Sequence, residues 1–274
     1  MIAVALPFWR RSVARRLICV GLAVLPALVL QASRLDPDLS GRWLVLGLVA
    51  LPVALLLRLF TPRRRPRHRV GAVLLDGAIQ AALVAALWPA TLVVWPAALA
   101  LTLALIAQHL LGGGSVNPFH PTVLALAVAM ALGHLLTTTD FAPALVLLAD
   151  AWLVAAVWIG MAAVLAILGV WPLRAPIAFL SAVVPALAMG GISATAFVVA
   201  ALVAGFVLAD TRYLPATPKG QYVTGALAGL GTAMLWLMGA PPGSFAHPLL
   251  LVYALVPWIE ARSLPRLTAR RPPA

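Results

Sequence analysis

Apolar residues fill this chain in long blocks, broken only by short polar or Gly/Pro-rich interruptions. Ten blocks stand out: 17–32, 42–60, 70–88, 90–111, 120–136, 144–170, 175–190, 192–209, 221–239 and 245–260. A helix needs about 20 apolar residues to cross the hydrocarbon core, somewhat fewer where flanking side chains snorkel. The pattern therefore predicts an all-α integral membrane protein with about ten transmembrane helices. The connections sort by charge. Arg10 to Arg16, TPRRRPRHR at 61–69, Arg174, the pair Arg212 and Lys219, and Arg262 to Arg271 fall at alternate connections. The intervening set (RLDPDLSGR, the WPATLVVWP region, TTTDFAP, MGGIS and APPGS) lacks positive charge or balances it with Asp. The positive-inside rule then places both termini in the cytoplasm. The chain reads as a single polytopic domain over 1–274, with a basic cytoplasmic N-terminus at 1–16 and a basic C-terminal tail at 261–274.

Composition agrees. With 64% hydrophobic residues, 9% charged residues and a mean hydropathy of +1.06, the chain has too little polar surface to cover a soluble globule, so the lipid bilayer is its first partner. The net charge of +12 sits in blocks at the ends of apolar runs and reads as topology, which excludes a nucleic-acid partner. A single cysteine, Cys19, permits no internal disulfide framework or Cys-rich metal site. The arginines before 17–32 resemble the start of a signal sequence, but QASRLDPD leads straight into the next apolar run, so the first helix reads as retained.

Two interruptions on the basic side are more than turns. One is GGGSVNPFHP at 112–121, the other ADTRYLPATPKGQY at 209–222. Glycine permits close backbone approach, and Pro118 and Pro121 remove donors and push the preceding residues towards extended geometry. Backbone that leaves the helix at membrane depth survives only where protein buries it or where it lines a cavity, as in discontinuous helices at the centre of transport folds. Read without the rest of the chain, either break also fits a surface loop.

Titratable groups in or beside the spans are the functional candidates. Asp76 lies near the start of the third span with Gln80 one turn on, on the same face. His109 ends the fourth span, and Asp210 precedes the second break. These three are candidates for an ion pathway. In the first break Asn117 can cap a helix, and His120 can titrate or hydrogen-bond a cofactor. No second His, Cys or carboxylate stands at ligand spacing, so the sequence assigns no metal site. It shows no catalytic nucleophile, phosphate-cradling loop or dinucleotide fingerprint either.

Three stretches taken together resemble the D subunit of the Rnf-type electron transport complex and its relative, the B subunit of the sodium-pumping NADH:quinone reductase. These are DGAIQAALVAALWPA at 76–90, AQHLLGGGSVNPFHPT at 107–122, and ADTRYLPATPKGQYVTGALAGL at 209–230 followed by VPWIEARSLPR. Within them Asn117, Phe119 and Pro121 match the first break of the family, and Thr217, Pro218, Lys219, Gly220 and Gln221 match the second. His120 stands where the family usually has Asn. The resemblance implies a subunit of the bacterial inner membrane that works with other membrane subunits, coupling electron transfer to movement of Na⁺ or H⁺. It also implies a cofactor site on Asn117, Phe119, His120, Thr217, Lys219, Gly220 and Gln221.

The sequence departs from that family at the flavin. Family members carry FMN on the Thr of a Gly-Ala-Thr motif in a long loop between spans five and six; here that loop is TTTDFAP at 137–143, without the motif. Covalent FMN is therefore expected to be absent, which leaves room for a non-covalent flavin, FMN or riboflavin, clamped by the two breaks. The rival reading is a free-standing carrier or channel for a small solute or a flavin, with the breaks facing each other at a central site.

Overall fold

The computed structural model describes residues 13–59, 70–88, 93–112, 119–136, 148–189 and 194–263. Those residues form α-helices joined by turns, with no strand among them. In chain order the helices are α1 (Val13–Arg34), α2 (Leu39–Leu59), α3 (Val70–Leu87), α4 (Trp95–Gly112), α5 (Pro121–Leu136), α6 (Leu148–Ile167), α7 (Arg174–Met189), α8 (Ala194–Leu202), α9 (Pro218–Leu237) and α10 (Ala246–Ser263). Each apolar block of the sequence overlaps one of these helices, whose ends differ from the block limits by several residues in places. Among the described residues, five helical stretches are long and apolar enough to cross a membrane, namely Arg15–Arg34, Leu39–Leu59, Val70–Leu87, Ala149–Ile167 and Pro242–Ser263. Trp95–Leu110, Pro121–Ala131, Arg174–Met189 and Thr195–Val207 are shorter apolar helices. Helix α9 spans 20 residues yet belongs to neither set, because polar and glycine positions recur along it.

The helix ends follow local chemistry. Pro121 and Pro218 sit in first turns, where the missing amide would have had no helical partner. The α8 ladder widens into a π-helical turn over Val203–Val207, closed by the Leu208 amide donating to the Val203 carbonyl at 2.8 Å. Such turns are uncommon and cluster at functional sites.

Packing pairs α2 with α3, α4 with α5, α6 with α8, and α7 with α9, while α10 lies on α9 and α5. The α7–α9 pair is the tightest: a Cβ on Gly225 would lie 2.8 Å from the Ala175 carbonyl carbon, and one on Gly229 would lie 2.6 Å from the Phe179 carbonyl oxygen. Small residues let two helices approach to backbone contact, where many close atom pairs gain dispersion energy. Large apolar side chains such as Leu44, Leu48, Leu56, Ile159 and Leu230 point outward, as a surface against lipid requires.

Polar ties inside the bundle are few. Gln31 on α1 donates to the Ala86 carbonyl at 2.9 Å and accepts from the Trp158 indole at 3.0 Å, linking α1, α3 and α6. Asp36 pairs with Arg42, and Arg34 with Asp150 at 3.6 Å, all at the end of the bundle where α1 stops and α2 starts. The charge balance expected for RLDPDLSGR is thus a direct ion pair.

Candidate functional site

The other end of the bundle holds a cluster built from both chain breaks. Asp76 occupies the second turn of α3, and Asp210 comes just after the π turn at the end of α8. Arg212 joins them. Its Nη1 and Nη2 donate to the two Asp76 oxygens at 2.8 and 3.0 Å, while Nε and Nη2 donate to Asp210 Oδ2 at 3.0 and 2.7 Å. The Arg212 amide also donates to Asp210 Oδ1 at 3.0 Å, which folds the Asp210–Arg212 turn around its own carboxylate. A planar guanidinium presents donors along two edges, so one arginine serves two carboxylates in a way lysine cannot.

Polar side chains of neighbouring helices extend the cluster. Gln80 donates to Asp76 at 3.5 Å and accepts from the Thr122 hydroxyl of α5 at 2.5 Å. His120, the residue before α5, is fully buried. Its Nε2 stands 3.9 Å from Asp210 Oδ2, and neither ring nitrogen has a hydrogen-bond partner among the described residues. Its ring lies 4.6 Å from that of Tyr213 and stacks 6.4 Å from that of Tyr253. Tyr253 donates to the Val207 carbonyl of the π turn at 3.2 Å, and Gln108 of α4 donates to the Tyr213 hydroxyl at 2.9 Å.

The electrostatics are lopsided. Burial pushes the Asp210 carboxyl up, but the Arg212 charge and its hydrogen bonds outweigh burial and hold it below the ordinary carboxylate range. The Arg212 guanidinium is pushed down by burial and up by Asp210 and Asp76, and ends well above its usual value. A cavity of about 60 Å³ adjoins them, lined by Arg16, Gln80, His120, Asp210 and Arg212 and by apolar side chains that include Leu83 and Phe206. That volume suits a few waters or a small ion and lies far below the several hundred Å³ of a ring-sized ligand site. The arrangement can exchange partners: weakening either Arg212 pair releases a carboxylate to take a proton or cation.

Of the residues the sequence singled out, Asp76, His120 and Asp210 meet here. His109 stands beside Gln108 at the end of α4 and is half-buried. Phe119 is half-buried against the apolar core next to His120, and Asn117 lies outside the described residues. The second-break residues hold backbone. Thr217 caps α9 by accepting from the Gly220 amide at 3.1 Å and pairs with the Ser263 hydroxyl. Gln221 donates to the Pro215 carbonyl at 3.1 Å. Gly220 is packed so that a Cβ would lie 2.6 Å from Pro215 Cβ, and Lys219 is exposed. These contacts shape the connection itself, so the ionisable chemistry of this end rests on the charge cluster.

Arg212 is the residue sequence reasoning placed elsewhere, among the topological charges. The one signal for it was local: an Asp-Thr-Arg step inside a break of an apolar chain, where a charged pair needs an internal partner. Tyr213, Tyr253 and Thr122 carried no such signal. No protein-family model matches the chain, and no curated protein matches it in sequence.

Proposed function

We propose that this chain is a membrane subunit of an Rnf-like redox complex, in which electron transfer on neighbouring subunits drives a small cation through the bundle. The observation that carries the reading is the Asp76–Arg212–Asp210 bridge with unpartnered His120 beside it, because it ties the two breaks of the chain into one buried ionisable site. A buried ionisable cluster at the end of a membrane bundle is costly, and such clusters mark ion and proton pathways. All ten helices cross the bacterial inner membrane in this reading, with both termini in the cytoplasm. In support, Arg58, Arg174, Arg212, Lys219 and Arg262 stand at the helix ends that an alternating bundle gathers beside Asp76. The chain carries no covalent FMN, and a flavin that travels with it is held non-covalently.

Affinity purification from membranes tests this. The expected result is co-purification with other membrane subunits, an absorbance spectrum with flavin or iron–sulfur features, and no in-gel flavin fluorescence after denaturation. A colourless, monodisperse chain without partners overturns the reading. Uptake of labelled solute by proteoliposomes holding that chain alone then establishes a carrier instead.

A further inference from the structure

We propose that His120 is the proton-binding residue of this end of the bundle, and that its charged form takes Asp210 Oδ2 over from Arg212, which stays on Asp76. The proposal rests on the redox-subunit reading for its drive, and it names the ion, the residue that holds it and the exchange of partners that binding brings.

The observation is a buried imidazole standing just short of a carboxylate. His120 is fully buried, and neither ring nitrogen has a hydrogen-bond partner among the described residues. A buried polar atom left bare is costly, so each one in a fold needs a reason. Here Asp210 Oδ2 stands 3.9 Å from Nε2. A shift of about 1 Å closes that gap to hydrogen-bond distance.

Asp210 can change partners without leaving its turn. Its Oδ1 accepts from the Arg212 amide at 3.0 Å, whereas Oδ2 accepts from the Arg212 side chain, Nε at 3.0 Å and Nη2 at 2.7 Å. Arg212 also reaches Asp76 through Nη1 and Nη2 at 2.8 and 3.0 Å, so a guanidinium that gives up Oδ2 still holds a carboxylate. An imidazolium donating from Nε2 then replaces one charge-assisted bond by another, and neither aspartate is left bare. Burial favours the neutral imidazole, so His120 keeps a proton while Asp210 is against it and loses it when Arg212 returns. Under the redox reading the drive is the negative charge of an electron on a neighbouring subunit, which favours the charged ring. The other charged or titratable groups around His120 are Asp76 of α3, Tyr213 of the same connection as Asp210, Tyr253 of α10 and, across the cavity, Arg16 of α1.

The cavity supplies the route. His120 and Asp210 both line it, and the Asp210 side chain is 10% exposed. A hydronium ion in the cavity loses a proton to Asp210 Oδ2, one O–H bond breaking as another forms, and the proton then passes to the lone pair of Nε2. Water stays in the cavity, the carboxylate is an anion again, and the ring carries the charge. A metal cation fits this place poorly. Among the described residues no three His, Cys, Asp or Glu side chains meet to hold one, and Arg16 and Arg212 on the cavity wall repel it.

Selective ¹⁵N NMR of the full chain in lipid nanodiscs tests the exchange. Histidine labelling follows the ring, identified as the signal that His120→Asn removes, and arginine labelling follows Nε of Arg212, identified with Arg212→Lys. As pH falls from 8 to 4, at least half of His120 is expected to become doubly protonated, and the Arg212 signal to shift with the same midpoint. In His120→Asn the Arg212 signal is expected to hold still over that range. In Asp210→Asn the His120 midpoint falls by at least one pH unit, seen as loss of the protonated signal at pH 4. A ring that stays neutral to pH 4, an Arg212 shift that survives in His120→Asn, or a midpoint indifferent to Asp210→Asn overturns the proposal. His120→Gln repeats the comparison, so that a folding failure of one variant leaves the test intact. The titration needs neither partner subunits nor flavin, so its failure is separable from failure of the redox reading.

Discussion

Replacing Arg212 by Gln removes the cation that bridges Asp76 and Asp210. The two carboxylates then face each other across the width of a guanidinium, on the order of 5 Å. At an effective dielectric constant near 20 their repulsion is roughly 3 kcal/mol. Stripping one partner from a buried pair costs about 3–5 kcal/mol; the Arg212 side chain is 32% exposed, which favours the lower end. We expect a loss of about 3 kcal/mol at pH 8, read as a drop in Tm of about 10 °C for the detergent-solubilised protein. The pH dependence fixes the cause. Without the guanidinium, burial is left to push the Asp210 carboxyl up, so protonation relieves the repulsion and the deficit shrinks as pH falls from 8 to 5. Adding Asp76→Asn to Arg212→Gln removes one orphaned charge and recovers at least half of the loss. Equal stability of wild type and Arg212→Gln at pH 8, or a deficit that grows in acid, refutes the reasoning.

Further expectations concern neighbouring features. Asp210→Asn lowers stability by an amount that is constant between pH 5 and 9 and fades only below about pH 4, because wild-type Asp210, with its pKa held down by Arg212, loses its advantage only as it protonates; thermal melts across that range measure it. Gly225→Ala pushes α7 away from α9 and costs about 3 kcal/mol or more in thermal or denaturant unfolding, whereas Gly47→Ala, with open space at its Cβ, is neutral or stabilising by up to about 1 kcal/mol. Thr217→Ala removes the α9 cap and costs about 1 kcal/mol, seen as faster amide exchange in the first turn of α9.

The helices were legible in the sequence because a membrane-crossing segment needs a long apolar run, which shows without knowledge of any contact. The starts of α5 and α9 were legible for the complementary reason: Pro121 and Pro218 can open a helix but cannot continue one from its interior. Asp76, His120 and Asp210 stood out as ionisable groups in apolar surroundings. Arg212 did not, because arginine at a basic-side connection already has an explanation in topology, and its contact with Asp76 closes a separation of 136 residues. The second break shows the converse. Its resemblance to a family motif casts Thr217, Gly220 and Gln221 as ligands for a cofactor, while the geometry gives each a local role as a cap, a close approach and a bond back to Pro215. A motif can be distinctive because a tight turn demands it. The π turn left no trace in the apolar pattern, since it alters angle and not hydrophobicity.

That turn sets the angular phase of the chain beyond it. A π segment accommodates one residue more than an α-helix would, so the residues after Val203–Val207 are rotated by about 100° relative to an uninterrupted ladder. Deleting one residue there leaves every side chain of the cluster in the sequence, yet dials Asp210 away from Arg212 and Asp76. The charge site is in that sense indexed by chain length: one residue more or fewer, in a stretch with no ionisable group of its own, switches it on or off.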